Sequence, residues 1–293
     1  MSTVLPNYLE WYEVDGVELA THGYAISAIT KGHPARKGTN VDTPSMHGTQ
    51  FREKRLDVRN ETWNLWVTDT HPVSGSVATT EKGRRSQFNY NMDTIMQLVN
   101  KMPELLEVKH YKVDPENPDV TQHRIAYCEI VSAFNIDDYK ELNIAQFGLD
   151  VMFPDPRWYS DDIASASASL ASGTSGTYTL SEYYTGTAPA TYMTITITAT
   201  GSGVTNPRFS NITYPNSTQT IGYNGVLTAG QKAVFDTEQL TLKDGSGVNK
   251  IANLYRHGSR QSWFELFPVA NTLVIAADSG TCRVELSYRK AYF

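Results

Sequence analysis

The sequence predicts a mainly β protein of two domains: an N-terminal β-sandwich or split barrel carrying one helix, and a C-terminal jelly-roll-like β-sandwich. Three observations lead there. Near the C-terminus, Cys282, Val284, Leu286 and Tyr288 alternate with Arg283, Glu285, Ser287 and Arg289, the period-two pattern of a half-buried strand. Met193, Ile195 and Ile197 alternate with Thr194, Thr196 and Thr198 in the same way, and no helical period of useful length separates the two runs. Finally, the chain has 293 residues, whereas single cores stop growing at roughly 250 to 300 residues, so two cores are expected. The prolines of Pro154-Asp-Pro156-Arg-Trp158 deny donors to a continuing ladder and place the boundary near Trp158, giving domains 1–158 and 159–293.

In the N-terminal domain, an extended piece from Val14 to Leu19 is broken by the turn dipeptide Asp15-Gly16, and Tyr24 to Ile29 forms another. A loop rich in Gly, Pro and charge is expected from Lys31 to Gln50. The aromatic and β-branched run Trp63-Asn-Leu65-Trp-Val67 then favours pleated sheet. One helix follows, capped by Asn91, with Met92, Ile95, Met96, Val99 and Met102 at three- and four-residue spacing and Pro103 as its stop. That stripe reads as core. Arg124 to Val131 and Ala145 to Phe153 alternate as strands, with a more polar stretch, Phe134 to Leu142, between them.

The second domain opens on Ala164-Ser-Ala-Ser-Ala-Ser-Leu-Ala-Ser-Gly173. This run is either a flexible linker or a strand of the second domain, because alternating Ser and Ala can still form ladder hydrogen bonds. Turn signals then recur at short intervals: Gly201-Ser-Gly203, Asn206-Pro207, Asn224-Gly225, Ala229-Gly230, Asp244-Gly245-Ser-Gly247 and Ser279-Gly280. Many short antiparallel strands closing over one core produce that rhythm.

Composition narrows the function. Hydrophobic residues make up 40% and charged residues 19%, and no apolar run approaches the roughly 20 residues that a membrane span needs. The N-terminus lacks the basic start and apolar stretch of a secretory signal, so folding in a cytoplasm is expected. Cys128 and Cys282 fall in different domains on apolar alternating segments, and two buried free thiols are expected. The net charge of −6 is uneven: residues 1–158 hold 16 Lys+Arg against 22 Asp+Glu, and residues 159–293 hold 9 against 9. An acidic domain disfavours sequence-independent nucleic-acid binding.

No catalytic constellation emerges. The histidines, His22, His33, His47, His71, His110, His123 and His257, show no His-x-x-x-His and no Cys-His cluster, so no zinc site is expected. The doublets Asp137-Asp138 and Asp161-Asp162, with Asp155, read as solvated loops rather than a calcium site. Glu182 and Glu265 are the carboxylates a glycosidase would need, but Glu265 lies between Phe264 and Leu266 and points away from a core those two face. Gly245-Ser246-Gly247 reads as a hairpin turn rather than a nucleophile elbow. The basic knot Lys82-Gly-Arg84-Arg85 reads as a solvated loop or a contact to an acidic neighbour, and Gly173-Thr-Ser-Gly176 lacks phosphate-loop spacing. No enzyme, no metal and no cofactor is therefore expected. Tyr178, Tyr183, Tyr184, Tyr192, Tyr214 and Tyr223 leave open a sugar-binding face, for which Tyr183 and Tyr184 are the candidate residues.

The order of features carries a resemblance. The opening Trp11-Tyr-Glu-Val-Asp-Gly-Val-Glu-Leu with Gly23-Tyr-Ala-Ile26, the helix, Phe153-Pro-Asp-Pro-Arg-Trp158 and the sandwich together resemble the distal tail proteins of long-tailed, non-contractile bacteriophages. Later pieces agree: Asn206-Pro-Arg-Phe-Ser-Asn-Ile-Thr, Leu227-Thr-Ala-Gly230 leading to Val234-Phe-Asp236, and Trp263-Phe-Glu-Leu-Phe-Pro268-Val-Ala-Asn271-Thr-Leu. One departure is Pro268-Val-Ala-Asn271, where the family usually has Pro-Gly-x-Asn, so this turn should avoid positive φ. Arg36-Lys-Gly-Thr-Asn-Val-Asp-Thr-Pro-Ser-Met-His-Gly48 is similar to a motif of distal tail and tail-tube proteins of phages of actinobacteria.

The resemblance implies a structural virion protein at the distal end of the tail, made in the host cytoplasm. It implies a homo-oligomer, a hexameric ring formed by the N-terminal domains, that joins the tail tube protein to the tail-tip hub protein. DNA passes through the ring without specific binding. The tape-measure protein and a host cell-wall glycan are further candidate partners, and the loop from Lys31 to Gln50 is expected to reach a neighbouring subunit.

Overall fold

A computed structural model describes residues 10–32, 36–37, 41–42, 49–50, 55–101, 104–113, 121–139, 143–171, 175–180, 186–214, 218–258 and 263–293. For 36–37, 41–42, 49–50, 55–56, 121–122, 134–139, 175 and 177–180 the description covers the backbone alone. The chain forms two compact units, Met1–Trp158 and Tyr159–Phe293.

Unit 1 opens with β1 (Glu10–Val14) and β2 (Val17–Glu18), which pair Val14 with Val17 across a two-residue turn. Asp15 and Gly16 both take positive φ, 47° and 82°, the geometry of a type I′ hairpin, whose twist matches that of its strands. Next comes β3 (Tyr24–Lys31), bulged at Ser27. The loop expected from Lys31 to Gln50 contains three short strands, β4 (Arg36–Lys37), β5 (Val41–Asp42) and β6 (Thr49–Gln50), and β7 (Arg55–Leu56) follows it. Strand β8 (Arg59–Val67) returns antiparallel to β3 and buries alternate residues, Arg59, Glu61, Trp63, Leu65 and Val67.

Helix α1 spans Glu81–Val99. It starts eleven residues before the expected position, its cap at residue 80 rather than 91. Thr80 is its N-cap, the hydroxyl accepting from Gly83 N at 3.1 Å. Asn91 is not a cap but a buried mid-helix residue whose Nδ2 donates to Thr68 O and Thr70 O at 2.8 and 2.9 Å. The buried stripe is Phe88, Asn91, Ile95, Leu98 and Val99, and Met96 is exposed. Lys82, Gly83, Arg84 and Arg85 lie in the first turns of this helix rather than in a loop.

Three strands complete the unit: β9 (Leu106–Val113), β10 (Thr121–Tyr139) and β11 (Ile144–Phe153). Strand β10 runs on through most of the polar stretch expected to interrupt it. Its first half pairs with β9 and its second with β11, so one strand serves two sheets, β2-β1-β9-β10 and β10-β11-β8-β3. Their inner faces meet, with the Tyr12 and Trp63 rings 5.5 Å apart, and α1 packs against β8 and β10.

Unit 2 begins with β12 (Trp158–Leu170), whose first residue closes unit 1. The Ser/Ala run is thus a strand, and Ala164, Ala166 and Ala168 pack against the core. In order follow β13 (Ser175–Leu180), β14 (Met193–Thr205), β15 (Arg208–Asn211), β16 (Gln219–Tyr223), β17 (Val226–Leu227), β18 (Lys232–Asp236), β19 (Thr241–Asp244), β20 (Leu254–His257), β21 (Asn271–Ala276) and β22 (Ser279–Tyr292). One sheet runs β19-β18-β14-β22-β12 and the other β13-β21-β15-β16-β20. Between them lie Ile195, Ile197, Phe209, Ile221, Phe235, Phe264, Leu273, Val284 and Leu286, all buried, each removal from water contributing about 1.5 to 3 kcal/mol before entropy is counted. This is a β-sandwich. Both cysteines are buried and free.

The turn Pro268-Val-Ala-Asn271 contains no positive φ. Asn271, fully buried, closes it instead: Oδ1 accepts from Phe267 N at 2.9 Å and Nδ2 donates to Phe267 O and Val269 O at 3.0 and 2.8 Å.

Candidate assembly surfaces

Among the described residues no three His, Cys, Asp or Glu side chains gather as a metal would require. The groups singled out in the sequence are dispersed and partnered. Asp155 holds Arg157 in a two-pronged pair at 2.8 and 2.9 Å, and Asp161 lies 3.7 Å from Arg289. Glu265 takes the Gln219 amide at 3.4 Å while Phe264 and Leu266 fill the core. Ser246 belongs to a turn closed by Asp244, whose Oδ1 accepts from Ser246 N and Val248 N. Glu182 and the side chains of Asp137 and Asp138 lie outside the described residues.

The described tyrosines of unit 2 meet neighbouring side chains, although Tyr214 remains 43% exposed. Tyr192 stacks on Tyr159 at 5.4 Å, Tyr214 meets Phe267 edge-on at 4.7 Å, Tyr223 packs on the core, and the Arg208 guanidinium lies 3.4 Å over Tyr255. Tyr183 and Tyr184 lie outside the described residues, as does the Tyr178 side chain.

Unit 1 contains a buried charged knot that the sequence reading missed. Arg59 and Glu61 precede Trp63 on the inward side of β8, at 5% and 4% exposure. Arg59 Nη1 donates to Pro156 O at 2.6 Å and Nε sits 3.1 Å from Glu61 Oε1. The guanidinium is 4.1 Å from the Phe153 ring and 4.9 Å from the Trp158 ring, and Trp63 Nε1 donates to Glu61 Oε2 at 2.8 Å. Burial lowers the Arg59 pKa, against the opposing pull of Glu61. Tyr12 stacks on His110 at 4.5 Å, and His110 Nε2 lies 2.6 Å from Glu10 Oε1. Burial, followed by the charges of Glu10 and Glu61, raises the Tyr12 hydroxyl pKa. A site so enclosed has no room for substrate. Its effect is mechanical: it pins Phe153 to Trp158, the end of unit 1, to β8.

The outer face of β10-β11-β8-β3 has a different character. Its cross-strand rows read Ala25, Trp66, Gln146, Asp137, then Ala28, Asn64, Gly148, Phe134, then Thr30, Thr62, Asp150, Ser132, then Asn60, Met152, Glu129. Those rows hold three carboxylate residues, Asp137, Asp150 and Glu129, and no Lys or Arg. Asp150 is further screened, since Thr62 and Ser132 donate hydroxyls to its two oxygens at 2.9 and 2.7 Å. The surface is largely polar and free of Lys and Arg along these rows. Trp66, 44% exposed, is a large apolar group on it. No motif marked it, because the face exists only once four strands are in register.

No protein-family model and no curated protein matches the chain. The fold is similar to that of the Dit protein of phage SPP1, described as a paradigm of the hub adsorption apparatus in phages infecting Gram-positive bacteria. That similarity has a TM-score of 0.59 at 13% identity and covers 96% of this chain and 99% of that one. Two structures of the phage P2 baseplate in its activated conformation, with calcium and with strontium, give TM-scores of 0.45 and 0.40 at 7% and 8% identity. They cover 97% and 96% of this chain and 98% of each of theirs. The likeness to SPP1 Dit, a likeness of fold, is the one used below.

Proposed function

We propose that this chain is a structural virion protein of a long-tailed, non-contractile phage. It forms a six-fold ring at the distal end of the tail, joins the tail tube to the tip hub, and leaves a passage for DNA. One observation carries the reading: the likeness to SPP1 Dit spans 96% of this chain and 99% of that one, both units together. A sandwich alone would say little, since that architecture hosts many unrelated functions.

The surfaces support it. A ring closes through a heterologous, head-to-tail interface repeated around an axis. A wall facing DNA must not capture phosphates, and every Lys or Arg on it would release counterions and tighten binding. The cation-free face of β10-β11-β8-β3 suits that wall. The role is geometric, with neither substrate nor cofactor, and its partners are the tail tube, hub and tape-measure proteins. The sugar-binding alternative rests on Tyr183 and Tyr184, which lie outside the described residues; of the described tyrosines, Tyr192 and Tyr223 pack on neighbours while Tyr214 is 43% exposed.

Light scattering on the purified chain, alone and co-expressed with a tail-tube partner, tests the proposal. The expected mass is near six times 32.7 kDa. A monomer under both conditions would end the ring reading.

A further inference from the structure

We infer that the outer face of sheet β13-β21-β15-β16-β20 binds an acidic saccharide chain through Arg208, a role beyond the ring that does not rest on it. The residues differ from the Tyr183 and Tyr184 singled out in the sequence. Register defines the face. Phe209 and Ile221 are buried in the core of unit 2, so Arg208, Gly222 and Tyr255, which share one cross-strand row, point the other way. Ser210, Thr220 and His257 form the next outward row, and β21 adds Ala276 and Val274 to the two. Gly222 clears the middle of the first row: a Cβ there would lie 2.5 Å from Pro207 O and 3.3 Å from Arg208 Nη1. The guanidinium therefore crosses β16 and lies 3.4 Å over the Tyr255 ring, while Nη1 donates to Asn224 Oδ1 at 3.3 Å. Asn224 is itself held, since Asn253 Nδ2 donates to its carbonyl at 2.7 Å and its own N–H donates to Asn253 O at 2.7 Å.

The cation so placed is preorganised and has no counter-charge. Among the described residues, the partners of its guanidinium are the Asn224 amide and the Tyr255 ring, whereas Arg283 and Arg289 on the other sheet lie 3.0 and 3.7 Å from Glu285 and Asp161. The two outward rows contain no Asp or Glu. With Nη1 engaged, the Nε–Nη2 edge keeps its parallel donors, the fork that grips a carboxylate or phosphate at two points. The ring beneath holds that fork in place, which limits the entropy lost on binding. Beside it stand the Ser210 hydroxyl, which shares a hydrogen bond with Thr220 at 2.8 Å, and the exposed His257 imidazole; both pair with ligand hydroxyls. Protein interfaces centre on exposed apolar anchors, and the large exposed hydrophobics of unit 2, among them Ile163, Val226, Leu240 and Val248, lie outside these rows. A fixed cation among hydroxyls, without an apolar anchor, fits an acidic polysaccharide.

The test uses the full chain and measures, by biolayer interferometry, its binding to polygalacturonate, which carries carboxylates, and to a phosphomannan, which carries phosphodiesters. Neutral dextran, polyglutamate and duplex DNA are the controls. At least one of the two acidic polysaccharides should bind saturably, and which of them binds identifies the anionic group; the three controls should bind at least about tenfold more weakly. Arg208→Lys keeps the charge but loses the fork and should weaken that binding about tenfold or more, while Lys243→Gln on the other sheet should leave it unchanged. Phenylglyoxal modification of Arg208 in the wild type, read by mass spectrometry, should slow when the polymer is added, and this readout requires no variant to fold. Failure of both acidic polysaccharides to bind, or equal binding of dextran, would overturn the inference. Equal binding of polyglutamate or DNA would do the same, by making the face a general anion contact. So would wild-type affinity in Arg208→Lys, or an Arg208 that the polymer does not protect.

Discussion

Replacing Arg59 with Ala tests whether the knot holds unit 1 together. The change removes the bond to Pro156 O, the cation over Phe153 and Trp158, and the partner of Glu61, which stays 4% exposed with one remaining donor, Trp63 Nε1. Removing one member of a buried pair costs about 3 to 5 kcal/mol, because the other charge is stranded. With a urea slope of about 2 kcal/mol per molar, the unfolding midpoint of unit 1 should fall by roughly 2 M. Tryptophan fluorescence reads this unit well, since Trp11, Trp63, Trp66 and Trp158 belong to it and Trp263 does not. The pair is not expected to be worth that much in itself. Arg59 Nε and Nη2 make no aligned hydrogen bond, so Arg59→Met with Glu61→Gln should recover most of the loss. An Arg59→Ala midpoint within about 0.5 M of wild type, or a double variant worse than the single, would refute the reasoning.

Three further outcomes are expected. Asn271→Ala leaves the buried Phe267 N and O without the bonds that close their turn and should destabilise unit 2 by about 2 to 3 kcal/mol, read from the Trp263 signal in urea. Burial lowers the His110 pKa below its ordinary 6.5 despite the pull of Glu10; the unfolded chain therefore takes up a proton near pH 6.5 that the folded one refuses, and stability falls as pH drops below about 6.5. His110→Phe should flatten that slope between pH 7.5 and 5, and an unchanged slope assigns it elsewhere. On the outer sheet face, Asn64→Lys together with Thr62→Lys should turn a protein that ignores duplex DNA into one that binds it with strong salt dependence; equal DNA binding by wild type would remove the cation-free argument.

Strands whose inward residues are all apolar were legible. Cys282, Val284, Leu286 and Tyr288 are buried as their alternation implies, and so are Met193, Ile195 and Ile197. The misses have physical causes. The start of α1 was hidden because its buried stripe has Asn91 in the middle and its first turns are Glu81, Lys82, Gly83, Arg84 and Arg85. Thr80, three residues before Gly83, was the available cap signal. Strand β10 outlasts its apolar pattern because hairpin pairing with β11, from Tyr139↔Ile144 inward, decides its extent. The Arg59–Glu61 knot was missed because charge normally marks an exposed face. Its one hint was phase, since both residues are in step with Trp63, Leu65 and Val67. The short strands β4 to β7 follow from pairing between segments apart in sequence, β4 with β7 and β5 with β6, which a local reading cannot supply.

Electron microscopy of the purified full chain, alone and with a tail-tube partner, tests the central claim most directly. The account predicts closed six-fold rings with an open centre, unit 1 surrounding the hole. Particles that are single copies or two-fold pairs under both conditions, or rings closed by unit 2 with unit 1 outside, would contradict it.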